Sequence, residues 1–444
     1  MRSRSGWSKT ALLVVAAFAG GAVTSRLAGA GTQTGNPYAP FDQLARVLVL
    51  VESQYVEPAA RNKVTEGAIK GMVAELDPHS AYMTPSEYAL FQGETEGKFG
   101  GVGVEVDFKN EFVTVLAPIE GSPAARAGVK PGDQIVAIDG RPMRGERIDK
   151  LVTLMRGPSG SKVAMTVRRP GVADPITFVL TREEIHVASV TGKRLDNNVA
   201  YLRLKQFQEG THEELLRVAA KLRAESKAPL AGVILDMRNN PGGLVDEAEG
   251  VADEFLASGV IYTTRHRGQV VDEVKAHAGG AFAALPIVTL VNEYSASSAE
   301  LVSGALQDSR RATIVGAPTF GKGSVQTIFD LPGGAGLRLT TMRYYTPSGR
   351  SIQAQGIRPD VLIQPATPIA ATDLVRERDL EGHLSSEQIA AVGPKQTVVV
   401  EPARAAGAPA IEPGRDVPVD PAKGNDFTLA TSYALLLKSL GEKR

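Results

Sequence analysis

Apolar positions along the 444-residue chain fall into three successive textures. From Phe41 to about Phe91 they recur at helical spacing, first Leu44, Val47, Leu48 and Val51, then Ile69, Met72, Val73 and Leu76. Thr84-Pro85-Ser86-Glu87 reads as a turn into one more short helix. From the glycine-rich stretch Gly97–Gly103 onward the period shortens to two, with Val104 and Val106, then Val113 and Val115, alternating with polar residues. Within this β-rich texture Ser122–Gly128 predicts a short capped helix, and Val129-Lys130-Pro131-Gly132-Asp133 a turn into the strand Gln134–Ile138. Glu146–Met155 predicts an amphipathic helix, and Val163–Val167 with Ile176–Leu180 a hairpin.

From about Glu184 strands and helices alternate. Strands are expected at Val199–Leu204, Leu230–Met237, Ile287–Val291 and Thr313–Val315, and helices at Thr211–Ala224, Leu244–Leu256 and about Ser298–Gln307. Such alternation predicts an α/β core with both sheet faces covered. Beyond about Pro365 the chain shows helical fragments, a Pro/Ala/Glu-rich stretch near Val398–Pro421 that reads as a flexible linker, and a closing helix at Leu429–Leu440.

The N-terminus adds a location. Arg2, Arg4 and Lys9 precede an apolar run from Ala11 to Val23, and Ala28-Gly29-Ala30 has the form of a cleavage signal. Residues 1–30 therefore read as a signal peptide, or, uncleaved, as an anchor; either one puts the body outside the cytoplasm, in the periplasm or tethered facing it. Residues 31–40 read as a linker. Lys plus Arg and Asp plus Glu both number 49, so no global basic field is available to hold nucleic acid. With no cysteine there can be no disulfide, no thiolate metal site and no cysteine nucleophile.

Three segments carry candidate chemistry. Ser295-Ala296-Ser297-Ser298-Ala299-Glu300 follows an expected strand and opens an expected helix. A serine there can sit at a sharp turn with free helix N–H groups beside it, or it can be an ordinary cap completed by Glu300 in a capping box. Asp236–Gly243 follows a second buried strand, and its Gly242-Gly243 pair can bring backbone N–H groups up to an oxyanion or simply make a tight turn. Lys322, between Gly321 and Gly323, can act as a general base if burial or neighbouring cations lower its pKa; alternatively it is a surface lysine in a turn. Gly316–Lys322 also fits a phosphate loop, but Gly323 stands where the hydroxyl residue belongs, and Val325–Phe329 has a strand texture, so that match fails. The six histidines show no metal-binding spacing, and there is no G-x-S-x-G elbow, so neither a metal, a cofactor nor a histidine triad is expected.

Taken together, five segments resemble the carboxyl-terminal processing (tail-specific) peptidases, serine proteases that contain a PDZ domain. They are Leu76–Ser80, Gly121–Gly140, Asp236–Gly243, Ser295–Glu300 continuing into Gly304–Asp308, and Thr319–Gln326. The similarity runs from about Phe41 to Pro365. It implies a multidomain α+β and α/β protein with an N-terminal helical region at 41–92 and a PDZ-like β-sandwich at 97–183. A crotonase-like Ser–Lys protease core at 184–365 and a C-terminal extension at 366–444 would follow. The family's nucleophile falls on Ser297, its general base on Lys322, and the glutamine that supports the lysine on Gln326. Its oxyanion donors fall on the N–H groups of Ser298 and of Gly242 or Gly243. The usual alanine after the nucleophile is Ser298 here, which leaves that hydroxyl as a second candidate.

The resemblance also implies a function. Phe99, Gly100, Gly101, Val102, Gly103 and Val104 would form the loop and strand that hold an apolar C-terminal tail by strand addition. Arg156 would couple the tail to the active site, or serve as a structural arginine at a helix end. Protein or peptide substrates with apolar C-termini are the expected partners. No adaptor is indicated, and the N-terminal helices and Leu429–Leu440 are candidate contacts between copies. A PDZ scaffold with an inactive protease-like core is the competing reading. An esterase is a third, lacking the serine elbow.

Overall fold

The structure is a computed structural model that describes residues 39–109, 112–119, 121–146, 148–225, 228–366, 375–387, 396–403 and 411–442. The expected signal segment lies outside them. Among the described residues no helix is long and apolar enough to cross a membrane. The chain forms two compact units divided after Gly71. The first holds helix α1 (Ala39–Gln54) and most of α2 (Arg61–Ala74), in which Arg61 donates to Glu52 at 2.7 Å. The helical region expected at 41–92 is therefore not one unit.

The second unit begins with β1 (Ala81–Met83), missed in the sequence because three residues are too short to show a period, and α3 (Pro85–Thr95). β2 (Lys98–Gly101) comes next, followed by the PDZ-type module, with β3 (Val104–Lys109), β4 (Phe112–Pro118), α4 (Pro123–Ala127), β5 (Gln134–Ile138), β6 (Arg141–Pro142), α5 (Ile148–Met155), β7 (Lys162–Arg168) and β8 (Ile176–Thr181). Its sheet runs β3-β4-β5-β7-β8, all antiparallel, with β6 beside β5. Val113, Val115, Ile135, Ile138, Leu151, Met165 and Val167 fill the core, so the period-two residues do point inward. Asp133 of the Lys130–Asp133 turn is fully buried because Arg169 grips both its oxygens, at 2.7 and 2.8 Å.

β9 (Glu183–His186) leads out of this module into β10 (Val190–Arg194), β11 (Val199–Leu204), α6 (Thr211–Ala224), β12 (Gly232–Asp236) and α7 (Val245–Phe255). The hairpin β13 (Val260–His266) and β14 (Gln269–Lys275) is followed by β15 (Ile287–Val291), α8 (Ser298–Asp308), β16 (Ala312–Gly316), β17 (Ser324–Asp330), β18 (Gly336–Tyr345), β19 (Val361–Pro365), β20 (Thr397–Glu401) and α9 (Phe427–Glu442). A seven-stranded sheet in the order β10-β11-β12-β15-β16-β19-β20 is parallel except for β10. Its strands alternate between two buried layers, as a sheet covered on both faces requires. Leu202, Leu204, Val233 and Leu235 face the layer of α6, α7 and α8, while Tyr201, Ile234, Val288 and Leu290 face Leu429, Tyr433 and Leu436 of α9. A second sheet, β1-β18-β13-β14 with β17 on β18, lies beside it.

One boundary needs correction. Residues 366–444 were expected to be an extension carrying a flexible linker. Part of that stretch, Thr397–Glu401, is instead the outermost strand of the parallel sheet, and α9 covers one of that sheet's faces. The Val398-Val399-Val400 run supplies the β-branched residues a strand needs. Helix α9 runs Phe427–Glu442, as expected apart from its ends.

Candidate active site

The loops after β12 and β15 leave neighbouring parallel strands and are laced together. Ser295 Oγ donates to the Met237 carbonyl at 2.9 Å, the Asn239 N–H to Asn292 Oδ1 at 2.8 Å, and the Ala296 N–H to the Asn240 carbonyl at 2.9 Å. Ser297 follows at the N-cap of α8 with φ 53° and ψ −117°. A side chain at positive φ is strained, and here the surrounding bonds hold it there.

The Asp236–Gly243 loop is fixed from below by charge. Asp236 is fully buried, and its carboxylate accepts from Tyr201 Oη at 2.7 Å and from Arg238 Nε and Nη2 at 3.0 and 2.7 Å. Arg238 spends its remaining donors on Asp426 at the start of α9, at 3.0 and 2.7 Å. Although burial opposes charge on Asp236, the Arg238 and Arg203 guanidinium groups hold its carboxyl below the usual range. Above this base both glycines are required. Gly242 has φ 99°, and a Cβ there would stand 2.8 Å from Ser297 Cβ; Gly243 has φ 136°, and a Cβ would strike the Phe207 carbonyl. The Gly242 N–H donates to Asn240 Oδ1 at 2.9 Å. Among the described residues the N–H groups of Gly243 and Ser298 have no acceptor. The Ser298 hydroxyl, the second candidate, donates to the Gly243 carbonyl at 2.9 Å.

Lys322 precedes β17, and one buried carboxylate ties its loop to the serine. Glu300 Oε2 accepts from the Ser297 N–H at 2.8 Å and from the Lys322 N–H at 2.9 Å, while Oε1 accepts from Thr319 Oγ1 at 2.5 Å and the Gly321 N–H at 2.7 Å. The capping box expected of Glu300 is present in its backward bond to Ser297. What the sequence did not disclose is that the same oxygen also holds the lysine backbone, because positions 300 and 322 meet only in three dimensions. Burial pushes the Glu300 carboxyl up to about 7. Lys322 is half-buried, and its amine has no hydrogen-bond partner among the described residues. Burial, and then the Arg338 guanidinium, lower its pKa.

Ser297, Lys322, Gly242, Gly243, Gln326 and Arg338 all line one cleft of about 760 Å³. Among the described residues no hydrogen bond joins Ser297 Oγ to the Lys322 amine, although both residues line the cleft. Gln326 turns its amide N–H groups to Ser324 Oγ at 2.9 Å and Thr340 Oγ1 at 3.3 Å rather than to the lysine. Thr340 Oγ1 in turn donates to Asp77 at 3.0 Å, and the Asp77 carboxylate also accepts from the His79 N–H and from the N–H and hydroxyl of Ser80. The Leu76–Ser80 segment thus buttresses the glutamine's strand pair, a role its sequence did not reveal. Among the described residues no group of His, Asp or Glu side chains could hold a metal ion.

The tail-binding candidates divide. Phe99, Gly100 and Gly101 belong to β2, which pairs with β9 rather than with the PDZ sheet. Val102 and Gly103 form the turn into β3, where Val104 begins the strand. The Val102 and Gly103 carbonyls are used by the N–H groups of Ala124 and Ile119 and by Ser122 Oγ, whereas their N–H groups have no partner among the described residues. β3 is the end strand of the sheet, and among the described residues no strand pairs with its outer edge. Arg156 follows the last residue of α5, with its N–H on the Val152 carbonyl at 2.9 Å, next to the Gly157 N–H that binds the Gly100 carbonyl at 2.9 Å, and it does not line the cleft that holds Ser297 and Lys322.

Known proteins match this arrangement. Residues 198–363 match Peptidase family S41, residues 114–169 a PDZ domain, and residues 20–86 the N-terminal domain of the activating protease CtpB. A carboxy-terminal-processing protease of Bartonella bacilliformis is 43% identical over 365 residues, which span 80% of this chain and 83% of that one. The chain belongs to the carboxy-terminal-processing proteases of peptidase family S41. It is a serine-type peptidase with a PDZ domain, as the five sequence segments implied. The carboxyl-terminal-processing protease of Synechocystis is 37% identical over 324 residues, covering 71% and 75% of the two chains. A solved photosystem II D1 C-terminal processing protease is 31% identical and covers 77% and 92%, with a TM-score of 0.46. In this processing protease the S41 match ends on β19, while β20 and α9, which complete the sheet and cover one face of it, lie beyond the matched residues.

Proposed function

We propose that the protease cuts peptide bonds with Ser297 as nucleophile and Lys322 as its general base. The observation that carries this reading is that a strained serine and an amine of lowered pKa line the same cleft, beside two unpaired backbone N–H groups. In this scheme neutral Lys322 takes the Ser297 hydroxyl proton as Oγ adds to the substrate carbonyl carbon, and the Gly243 and Ser298 N–H groups receive the oxyanion. The lysine ammonium then protonates the departing amine, leaving an acyl-enzyme on Ser297. Water, deprotonated by Lys322, adds to the acyl carbonyl, and the new carboxyl product leaves as the proton returns to Oγ. A rotation that closes the space between Oγ and the amine is required; catalytic bonds often tighten only around substrate. Gln326, with Nε2 engaged, offers Oε1 to the lysine when it is protonated.

The PDZ domain selects the substrate in this proposal. A C-terminal tail adds to the β3 edge, and its carboxylate meets the free N–H groups of Val102 and Gly103. The N-terminal 30 residues export the protein to the periplasm or tether it there. Purified protein settles the catalytic part. Ser297→Ala and Lys322→Ala should each abolish cleavage of a tailed substrate while still binding the tail peptide, and full activity in either variant would rule the dyad out. Amidating the tail should weaken binding, and cell fractionation tests the export.

A further inference from the structure

The cleft continues past the reacting groups onto the floor made by β14, β13 and β18. Asp272, Thr264 and Tyr344 sit side by side there, since Asp272 pairs with Thr264 and Thr264 with Tyr344 across adjacent strands. Tyr262, Val271 and Met342 also line this end, with Tyr262 edge-on to Tyr344 at 5.3 Å between ring centres. Its charge is one-sided. Tyr262 Oη donates to Glu249, and the Glu249 carboxyl is pushed up by burial and by the neighbouring Asp246 and Asp272 carboxylates. Among the described residues none of these three acids is in an ion pair.

A second, independent feature is Thr264. It is only 5% exposed, lines the cleft, and its Oγ1 has no hydrogen-bond partner among the described residues. A buried hydroxyl left unpaired costs stability unless something supplies its partner. The surfaces offered here are therefore two aromatic rings, aliphatic walls, an unpaired oxygen and the Asp272 carboxylate, which among the described residues is in no ion pair and accepts only from the Glu273 N–H, at 2.9 Å. A long cationic side chain satisfies all of them. Its stem lies on Met342 and Val271, its charge meets the Asp272 carboxylate and the tyrosine faces, and it donates to Thr264 Oγ1. A neutral apolar side chain would leave the oxygen and the acids unmatched.

We propose that this end of the cleft is a specificity subsite for an arginine or lysine of the substrate, close to the scissile bond. It rests on the reading of Ser297 and Lys322 as the reacting pair. Three strand spacings separate β14 from β17, which Lys322 precedes, about 14 Å. An extended peptide covers that distance in about four residues, so the basic residue falls within roughly four positions of the cut. The opposite region of the cleft carries Arg338, six residues from Tyr344 along β18 and thus roughly 20 Å away. The cleft is polarised, and the polarity fixes which way a charged substrate lies in it.

The full-length protein is tested with peptide twins that differ only by arginine, lysine, norleucine or glutamate, the variable residue being moved through four positions on each side of the cut. At one position the basic peptide should exceed its norleucine twin in kcat/KM by about fivefold, and the advantage should shrink in about 0.5 M salt, roughly three times physiological ionic strength. In Asp272→Asn the ratio should fall to about one, and in Asp272→Lys the glutamate peptide should become the better substrate. A ratio within one preparation does not depend on how much of a variant has folded. Equal cleavage of the twins at every position by wild type, or an unchanged preference in Asp272→Lys, would overturn the subsite. Failure of the underlying reading looks different, because Ser297→Ala would then still cut the norleucine peptide.

Discussion

The two loops that meet at the cleft are held by different chemistry. The Asp236–Gly243 loop rests on Arg238 bridging Asp236 and Asp426, and the arginine pKa is raised further by its partners. Its charge state does not change at any working pH. The Thr319–Gly323 loop is tied to the Ser295–Glu300 segment by the Phe320 N–H on the Ser295 carbonyl at 3.0 Å and by three donors on Glu300, a carboxyl that burial pushes up to about 7. The glycine-loop side of the site is therefore a fixed frame, whereas most of the bonds that join the Ser297 and Lys322 segments meet on a carboxyl whose charge changes near neutral pH.

Four changes probe this difference, in decreasing order of effect. Lys322→Met should lower peptide cleavage by at least about a thousandfold and yet raise stability, by about 1 kcal/mol, because it removes an amine that burial and Arg338 disfavour as a cation. A thermal melt beside the assay checks both halves, and a destabilised Lys322→Met would contradict the burial argument. The lysine's folded pKa lies below its unfolded value, so wild-type stability should rise with pH as the amine deprotonates, up to about 10.5. That rise should be absent in the variant.

Arg238→Ala removes the arginine that bridges Asp236 and Asp426, leaving Asp236 with only Tyr201 and Arg203 as side-chain partners, and should cost about 3 kcal/mol of unfolding free energy, read from the midpoint of urea unfolding. A loss below 1 kcal/mol would mean that the frame does not depend on this pair. The loss should be nearly the same at pH 6 and pH 8.

Glu300→Gln should behave in the opposite way. Its folded pKa, about 7, exceeds the unfolded value near 4.5, so the group stabilises the fold below pH 4.5 and that contribution fades as pH rises through 7. Activity should run against stability, since the four bonds to Glu300 need the carboxylate. Wild-type kcat/KM should climb through about pH 7, while Glu300→Gln, short of one good acceptor, should be slower by about tenfold with that rise gone. A wild-type profile flat between pH 6 and pH 8 would refute a role for the Glu300 proton in activity. The smallest effect is Asp77→Asn, which loosens Thr340 behind Gln326 and should cost about 1 kcal/mol with kcat reduced and KM unchanged.

How much of this was legible beforehand varied with sequence separation. The helices and strands of the parallel sheet were readable because each carries its own period; Ile287–Val291, expected from its apolar run alone, is β15 to the residue. The hairpin Val260–Lys275 was not read, since Gln269–Lys275 is an exposed edge strand with no apolar alternation. β20 was hidden inside a stretch whose proline and alanine content resembles a linker. Glu300 was seen only as a cap because its second partner is 22 residues away across a loop.

By itself the sequence determined the residue types on which the proposed chemistry depends, namely a serine at a strand-to-helix turn, a pair of glycines and a lysine between glycines, together with the order of modules along the chain. These are local properties, set by backbone propensity and short motifs. Only the tertiary structure decided which amide is free and which is spent on Asn240, that one carboxylate binds both the Ser297 and the Lys322 backbone, and that the C-terminal helix anchors the glycine loop through Asp426. Those facts depend on burial and on contacts between distant segments, and a hydrogen bond or a shifted proton affinity exists only once folding has excluded water and brought the partners within 3 Å.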